Sequence, residues 1–356
     1  MAYSHGNGTF TSGPYKLLLD LARSKKILFF GGKGGVGKTT ISASTALARA
    51  NEGAKVLLVS TDPAHSLGDI FDKPIGDKEI PLLENLWGLE IDSEREADSH
   101  ISTVKQTMKT LVAPKMYREI DRQLDLARHS PGTVEAAVLE RVADLMSKGD
   151  SKYDLVIFDT APTGHTVRLL SLPEIITAWT EGMLNHQEKS KNLGVLLDSL
   201  KSDEEPMADH GMMDFVQHEG KDRRNEEISR ILRRRNDKFH EARKLLIDPE
   251  ATGFLLVLNP ERLPILESKK ACDVLRKFQI EISGIVINRL LPDELEGDFF
   301  KGRFEQQSHY LDEISEQFKG VRSIQVGLLE RDVHGIEMLK KSANMLSKAI
   351  STSEVL

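Results

Sequence analysis

Gly31–Thr40 reads GGKGGVGKTT, and its inner eight residues, Gly32 to Thr39, satisfy the pattern G-x-x-x-x-G-K-T. An apolar run, KILFF at 26–30, precedes it and a helical run, ISASTALARA at 41–50, follows. Glycines between a strand and a helix let successive backbone N–H groups turn inward around phosphate oxygens, and the positive end of the helix adds to the field. Gly32, Lys33, Gly34, Gly35, Val36, Gly37, Lys38, Thr39 and Thr40 therefore read as a phosphate cradle. In such a loop Lys38 reaches the β- and γ-phosphates and the Thr39 hydroxyl ligates Mg²⁺. That chemistry needs only the second lysine, which leaves Lys33 without a task.

Further apolar runs bounded by turn residues recur along the chain: VLLVS at 56–60, LVIFD at 155–159, FLLVL at 254–258 and GIVIN at 284–288. Continuous apolar runs separated by helical patterns indicate parallel strands covered on both faces, and so a doubly wound, mostly parallel α/β sheet. Ligands of such sheets sit at the carboxyl ends of the strands. Two carboxylates are found there. Asp159 closes LVIFD and is placed to hold Mg²⁺ through its water shell, and Asp62 follows VLLVS, where it can orient an attacking water. Gly164, a few residues beyond Asp159, offers a backbone N–H to the γ-phosphate.

The 356 residues carry a formal net charge of −7, 39% hydrophobic and 29% charged residues. This is a globular composition with no general affinity for nucleic acid or anionic membrane. A single cysteine, Cys272, excludes intrachain disulfides and any multi-thiolate site within one chain, suits a cytoplasmic setting, and reads as a buried helical residue. Residues 1–24 read as a flexible tail and lead-in, with no secretory signal, and 351–356 as a short tail. Between them, 25–350 read as one domain interrupted by helical insertions at about 98–148 and 173–248, where no strand pattern is found. No window approaches 18 apolar residues, so no membrane-spanning helix is expected.

GKGGVGKTT, STDPAHSLGD, DTAPTGHTVRLLSLPE and NPERLPILES together resemble the ArsA-type ATPases of arsenite pumps and their relatives in the guided entry of tail-anchored membrane proteins. The resemblance runs from about Lys25 to Lys341. It implies a P-loop fold of the deviant Walker A class, hydrolysis of ATP to ADP, and a homodimer in which Lys33 reaches the partner's nucleotide as an arginine finger does. By the same carry-over Asp62 is the switch I carboxylate, Asp159 and Gly164 belong to switch II, Asn288 reads the adenine edge, and Glu261 lies near the nucleotide across the dimer interface. A client transmembrane helix is expected in an apolar groove on the helical insertions. Its candidate lining is Leu111, Val112, Met116, Leu124 and Leu126, then Met183, Leu184, Leu196 and Leu197 with the Met207–Phe215 cluster. A membrane receptor is a further expected partner.

Two departures narrow the resemblance. The C-x-x-C pair that many targeting members use for an interfacial zinc has no counterpart in LPDELEGDFFKGRFEQQ, so no zinc is expected, and Phe299, Phe300 and Phe304 are the candidates to replace it. The cysteines of the arsenite pump are likewise missing, which disfavours an efflux-pump subunit. A spatial regulator of the MinD and ParA type is the other alternative, since GIEMLKKSANMLSKAI at 335–350 can form a basic amphipathic helix.

Overall fold

The computed structural model describes residues 14–62, 66–111, 114–128, 132–160, 230, 233–234, 236–292 and 294–351. It divides into two compact units, one formed by Met1–Ser93, Leu145–Leu170 and Leu245–Leu356, the other by Glu94–Asp144 and Ser171–Lys244.

The first unit is built on an eight-stranded sheet in the order β3-β4-β2-β5-β1-β6-β7-β8. Its strands are β1 (Ile27–Gly31), β2 (Val56–Ser60), β3 (Ile80–Leu83), β4 (Leu86–Glu90), β5 (Leu155–Asp159), β6 (Thr252–Leu258), β7 (Ile282–Leu290) and β8 (Ser323–Gly327). All neighbours pair in parallel except β3, which runs antiparallel to β4 at the edge. The strand that leads into the phosphate loop, β1, is thus central, between β5 and β6. Each of β1, β2, β5 and β6 is buried at every position, as strands covered on both faces require.

The two faces carry different side chains. Leu28, Phe30, Val56, Leu58, Leu155 and Ile157 join one apolar cluster with helix α2 (Lys38–Asn51). Phe29 faces the other way, stacked on Phe158 of β5 with centroids 4.7 Å apart and on Phe254 of β6 at 6.0 Å. This aromatic row crosses β5, β1 and β6 one residue before Asp159 and fixes their register.

Three strands lack the apolar runs found in the other five, for physical reasons. Pro81 confines β3 to an edge, Gly88 interrupts β4, and β8 alternates exposed and buried residues instead of being buried throughout. The lead-in also differs from a flexible segment, because Pro14–Ser24 forms helix α1. Its leucines recur at helical spacing, Leu18, Leu19, Leu21 and Ala22 are buried, and Pro14 suits a first helical position. Helices α3 (Ser66–Phe71), α8 (Arg262–Lys277), α9 (Asp298–Gln317) and α10 (Gly335–Ser351) complete this unit. The last packs on α1 and α2, which leaves its apolar stripe engaged in the core through Leu339 and Ala343.

The second unit takes in α4 (Ser93–Leu111), α5 (Tyr117–Arg128), most of α6 (Thr133–Lys152) and most of α7 (236–247). Ion pairs fasten these helices: Arg128 to Glu94 and Asp98, Lys105 to Asp125, Lys109 to Asp121, and Lys238 to Asp144. Met116 and Leu126 are exposed here, whereas Leu124 is half-buried. No helix among the described residues is long and apolar enough to cross a membrane.

Candidate functional site

The loop between β1 and α2 is held open by glycine geometry. Gly32 has φ of 151°, and a Cβ there would lie 2.2 Å from the backbone oxygen of Val257, so the loop backbone rests directly on β6. Gly37 has φ of 91° and acts as the N-cap of α2; a Cβ there would lie 2.3 Å from Asn288 Nδ2. Only glycine fits such a combination of left-handed backbone and close approach. Asn288, at the end of β7, donates from Nδ2 to the Val36 carbonyl at 2.8 Å, so its amide nitrogen braces the loop. It also lines a hollow with Gly37, Thr40, Arg289, Val326 and Val333, beside the start of α2.

Lys38 lies in the first turn of α2, only 5% exposed, and donates to the Lys33 carbonyl at 3.2 Å. Burial pushes its ammonium below the usual lysine range, against the opposing pull of Asp159 and then Asp62. Asp159 is wholly buried, and among the described residues neither of its carboxylate oxygens has a partner at ordinary hydrogen-bond geometry, the Thr39 hydroxyl being the polar group that acts on it most. Burial raises its carboxyl to about 7; the Thr39 hydroxyl and Lys38 oppose the rise, while Asp62 and Glu90 add to it. A buried ammonium and a buried carboxylate both carry a desolvation penalty. The arrangement suits a polyanion at Lys38 and a hard cation at Asp159 and Thr39, each of which would relieve one penalty.

Strand register explains the convergence. Ser60 pairs with Asp159 on one side and with Glu90 on the other, so three polar residues end neighbouring strands in one row. They share a sheet face with Val56, Leu58, Leu155 and Ile157, the face on which α2 packs. The Asp62 N–H donates to Ser60 Oγ at 3.2 Å, which anchors that residue beside the row.

Lys33 and Glu261 stand apart from this cluster. The Lys33 side chain is 31% exposed, with Nζ 4.0 Å from Glu267 Oε1 on α8. Glu261 is exposed at the N-cap of α8 and makes no side-chain cap bond. Gly164, Val112, Met183, Leu184, Leu196, Leu197, the Met207–Phe215 cluster and the Leu111 side chain lie outside the described residues. Ser60, Glu90 and Glu267 join the candidate site only through the fold. Glu90 had a signal, a carboxylate closing the run LWGLE as Asp159 closes LVIFD.

The anion-transporting ATPase family model matches residues 25–348, nearly the whole chain and both of its units. The chain belongs to that family. Members similar to this ATPase include putative arsenical pump-driving ATPase 2 of Aquifex aeolicus, 32% identical over 90% of this chain and 99% of its own length. ATPase ASNA1 homolog 2 of Paramecium tetraurelia is 33% identical over 93% of this chain and 96% of its own. ATPase GET3 of Komagataella phaffii is 33% identical over 91% and 90% respectively. Family membership makes ATP the nucleotide for which the loop of this ATPase is built.

Proposed function

We propose that this ATPase is a homodimeric targeting factor that couples ATP hydrolysis to the capture and release of the transmembrane helix of tail-anchored membrane proteins. The observation that carries the hydrolytic part is the buried Lys38 and Asp159 beside a loop whose Gly32, Gly35 and Gly37 take positive φ. Lys38 and the loop amides bind the phosphates, and Asn288 keeps the loop in place while its hollow receives the adenine. Asp62 orients the attacking water. Gly164 senses the γ-phosphate, and Glu261 lies near the nucleotide bound by the partner.

Asp159 and Thr39 are the residues that would hold Mg²⁺. The fit rests on the hard oxygen donors they offer and on the full burial of the Asp159 carboxylate, whose oxygens meet no partner at ordinary hydrogen-bond geometry among the described residues. When bound, the ion neutralises charge on the transferred phosphoryl group. Lys33 supplies a second positive charge, in trans, to the site of the other copy.

The client part of the reading is supported by the match to the GET3 relative over 91% of this chain, which takes in the helical unit, and by the exposed Met116 and Leu126 there. ATP favours a closed dimer, the two helical units join into an apolar groove, and hydrolysis reopens it. Cytoplasmic action, a membrane receptor and no role for nucleic acid complete the proposal. Coexpression with a protein bearing a C-terminal transmembrane helix, followed by sizing in ATP and in ADP, tests it. A soluble complex that needs both the apolar tail and ATP supports capture, and active hydrolysis with no complex removes the targeting role.

The name of the Aquifex relative favours a second reading, a pump-driving subunit. Cys272 argues against it here, being buried on α8 with its thiol pushed up by desolvation, whereas metalloid recognition needs several accessible thiolates. Hydrolysis stimulated by arsenite would restore that reading.

A further inference from the structure

Glu90 is a buried carboxylate at the end of β4, 2% exposed, two strands away from Asp159 in the row Glu90, Ser60, Asp159. Its Oε1 accepts hydrogen bonds from the backbone N–H groups of Leu67 at 2.9 Å and Gly68 at 3.1 Å, which open α3. That helix follows the segment containing Asp62, and its Leu67, Ile70 and Phe71 are buried in the core. Asp62 is itself anchored by Ser60 Oγ. The two flanks of the switch segment are therefore tied to adjacent strand ends in one row, one through Ser60 and the other through Glu90.

Burying a carboxylate is costly unless hydrogen bonds compensate it, and charge-assisted bonds to backbone N–H groups are stronger than neutral ones. The N–H groups of Leu67 and Gly68 compensate the buried Glu90 carboxylate, and the carboxylate in turn holds them. Beyond α3, Glu90 also borders an open hollow with Gly68, Asp69, Asp72, Lys73 and His334, so that side of the helix is not filled by packing. The two hydrogen bonds add to the core packing of Leu67, Ile70 and Phe71 a restraint on the first turn of α3 itself.

We propose that Glu90 is a positioning residue for ATP hydrolysis: it clamps the first turn of α3 to the sheet and so fixes Asp62 over the phosphate end of the site. This rests on the reading of Asp62 as the residue that orients water. In this role Glu90 acts through the backbone it holds.

The test compares Glu90→Ala with Glu90→Gln, which keeps an acceptor oxygen without the charge. In Glu90→Ala the kcat for ATP falls about 10- to 100-fold, as misplacement of a reacting group by about 1 Å predicts, while KM stays within about 2-fold. Amide exchange at Leu67 and Gly68 accelerates about 10-fold or more, with the amides of α2 unchanged. Glu90→Gln restores most of kcat and of the protection. Wild-type kcat and exchange in Glu90→Ala would overturn the proposal, as would an equal loss of protection in α2, which marks general destabilisation. If Glu90→Ala does not fold, Glu90→Asp, one methylene short of both N–H groups, must show the same split between kcat and KM or the proposal fails. Asp62→Asn is measured in parallel to separate the two readings. A slow Asp62→Asn beside a normal Glu90→Ala sinks this inference alone. A normal Asp62→Asn sinks the hydrolysis reading, and with it the role assigned to Glu90.

Discussion

Lys38 donates to the backbone carbonyl of Lys33 at 3.2 Å, yet the two ammonium groups of this one loop face different surroundings. Lys38 is nearly buried, and Asp159 and Asp62 act on its charge; Lys33 is partly exposed beside Glu267. One lysine is enclosed within its own chain and the other reaches the surface. Lys38→Ala removes a cation from the phosphate site together with a brace of the loop. Its ATP affinity is expected to fall by about 100-fold or more, roughly the loss of one or two charge-assisted hydrogen bonds. Isothermal titration with ATP checks this, and affinity near that of the wild type would remove Lys38 from the site.

Asp159 yields a prediction about pH. Its carboxyl is raised to about 7 from the model-compound value of 3.8, so the folded, nucleotide-free chain keeps a proton that the unfolded chain has released. Stability from this group is full below about pH 4, falls as pH rises towards 7, and is flat above. Asp159→Asn is therefore expected to stabilise the nucleotide-free protein at pH 8 by about 1–3 kcal/mol while abolishing hydrolysis. Thermal unfolding from pH 5 to pH 8 checks the sign, since the gain must shrink as pH falls.

Gly37 and Asn288 couple loop conformation to stability. Gly37→Ala forces a side chain into left-handed backbone and against the Asn288 amide. The expected cost is about 1–3 kcal/mol, with nucleotide binding impaired because the Val36 carbonyl loses its donor. Chemical denaturation with and without ATP measures both effects. Asn288→Ala is expected to impair binding similarly without the backbone strain.

Asp62→Asn keeps the side-chain volume and the backbone N–H bonded to Ser60 but removes the carboxylate. Hydrolysis is expected to slow by about 100-fold or more while ATP-dependent dimers persist. Single-turnover hydrolysis and light scattering separate these two outcomes.

Much of the site could be read from the sequence because its physics is local. Glycines at fixed offsets from Lys38, and carboxylates just past apolar runs, reveal the chemistry without any knowledge of distant contacts. Asp159 closes such a run, and Asp62 follows one. The central strands could be read for the same reason, being apolar throughout. Other features depend on contacts far apart in sequence. The Asn288 bond to Val36 joins residues 252 positions apart, and the exchange between Glu90 and α3 needs the pairing of β4 with β2. Helix α1 escaped notice because a helix of 11 residues shows little beyond a polar tail until its leucines meet α10 and β8.

The central claim is that hydrolysis is completed between two copies of the chain, and mixing two slow variants tests it most directly. Lys33→Ala lacks the lysine and Asp62→Asn lacks the carboxylate, so each alone is expected to turn over only slowly. In a mixed dimer, a lysine acting in trans leaves one site intact, with Asp62 from the first subunit and Lys33 from the second. Random assembly of equal amounts is then expected to recover about a quarter of the wild-type turnover, because half of the dimers are mixed and each has one working site. No recovery, in mixtures shown by mass to contain the mixed dimer, would contradict the account and confine Lys33 to its own site.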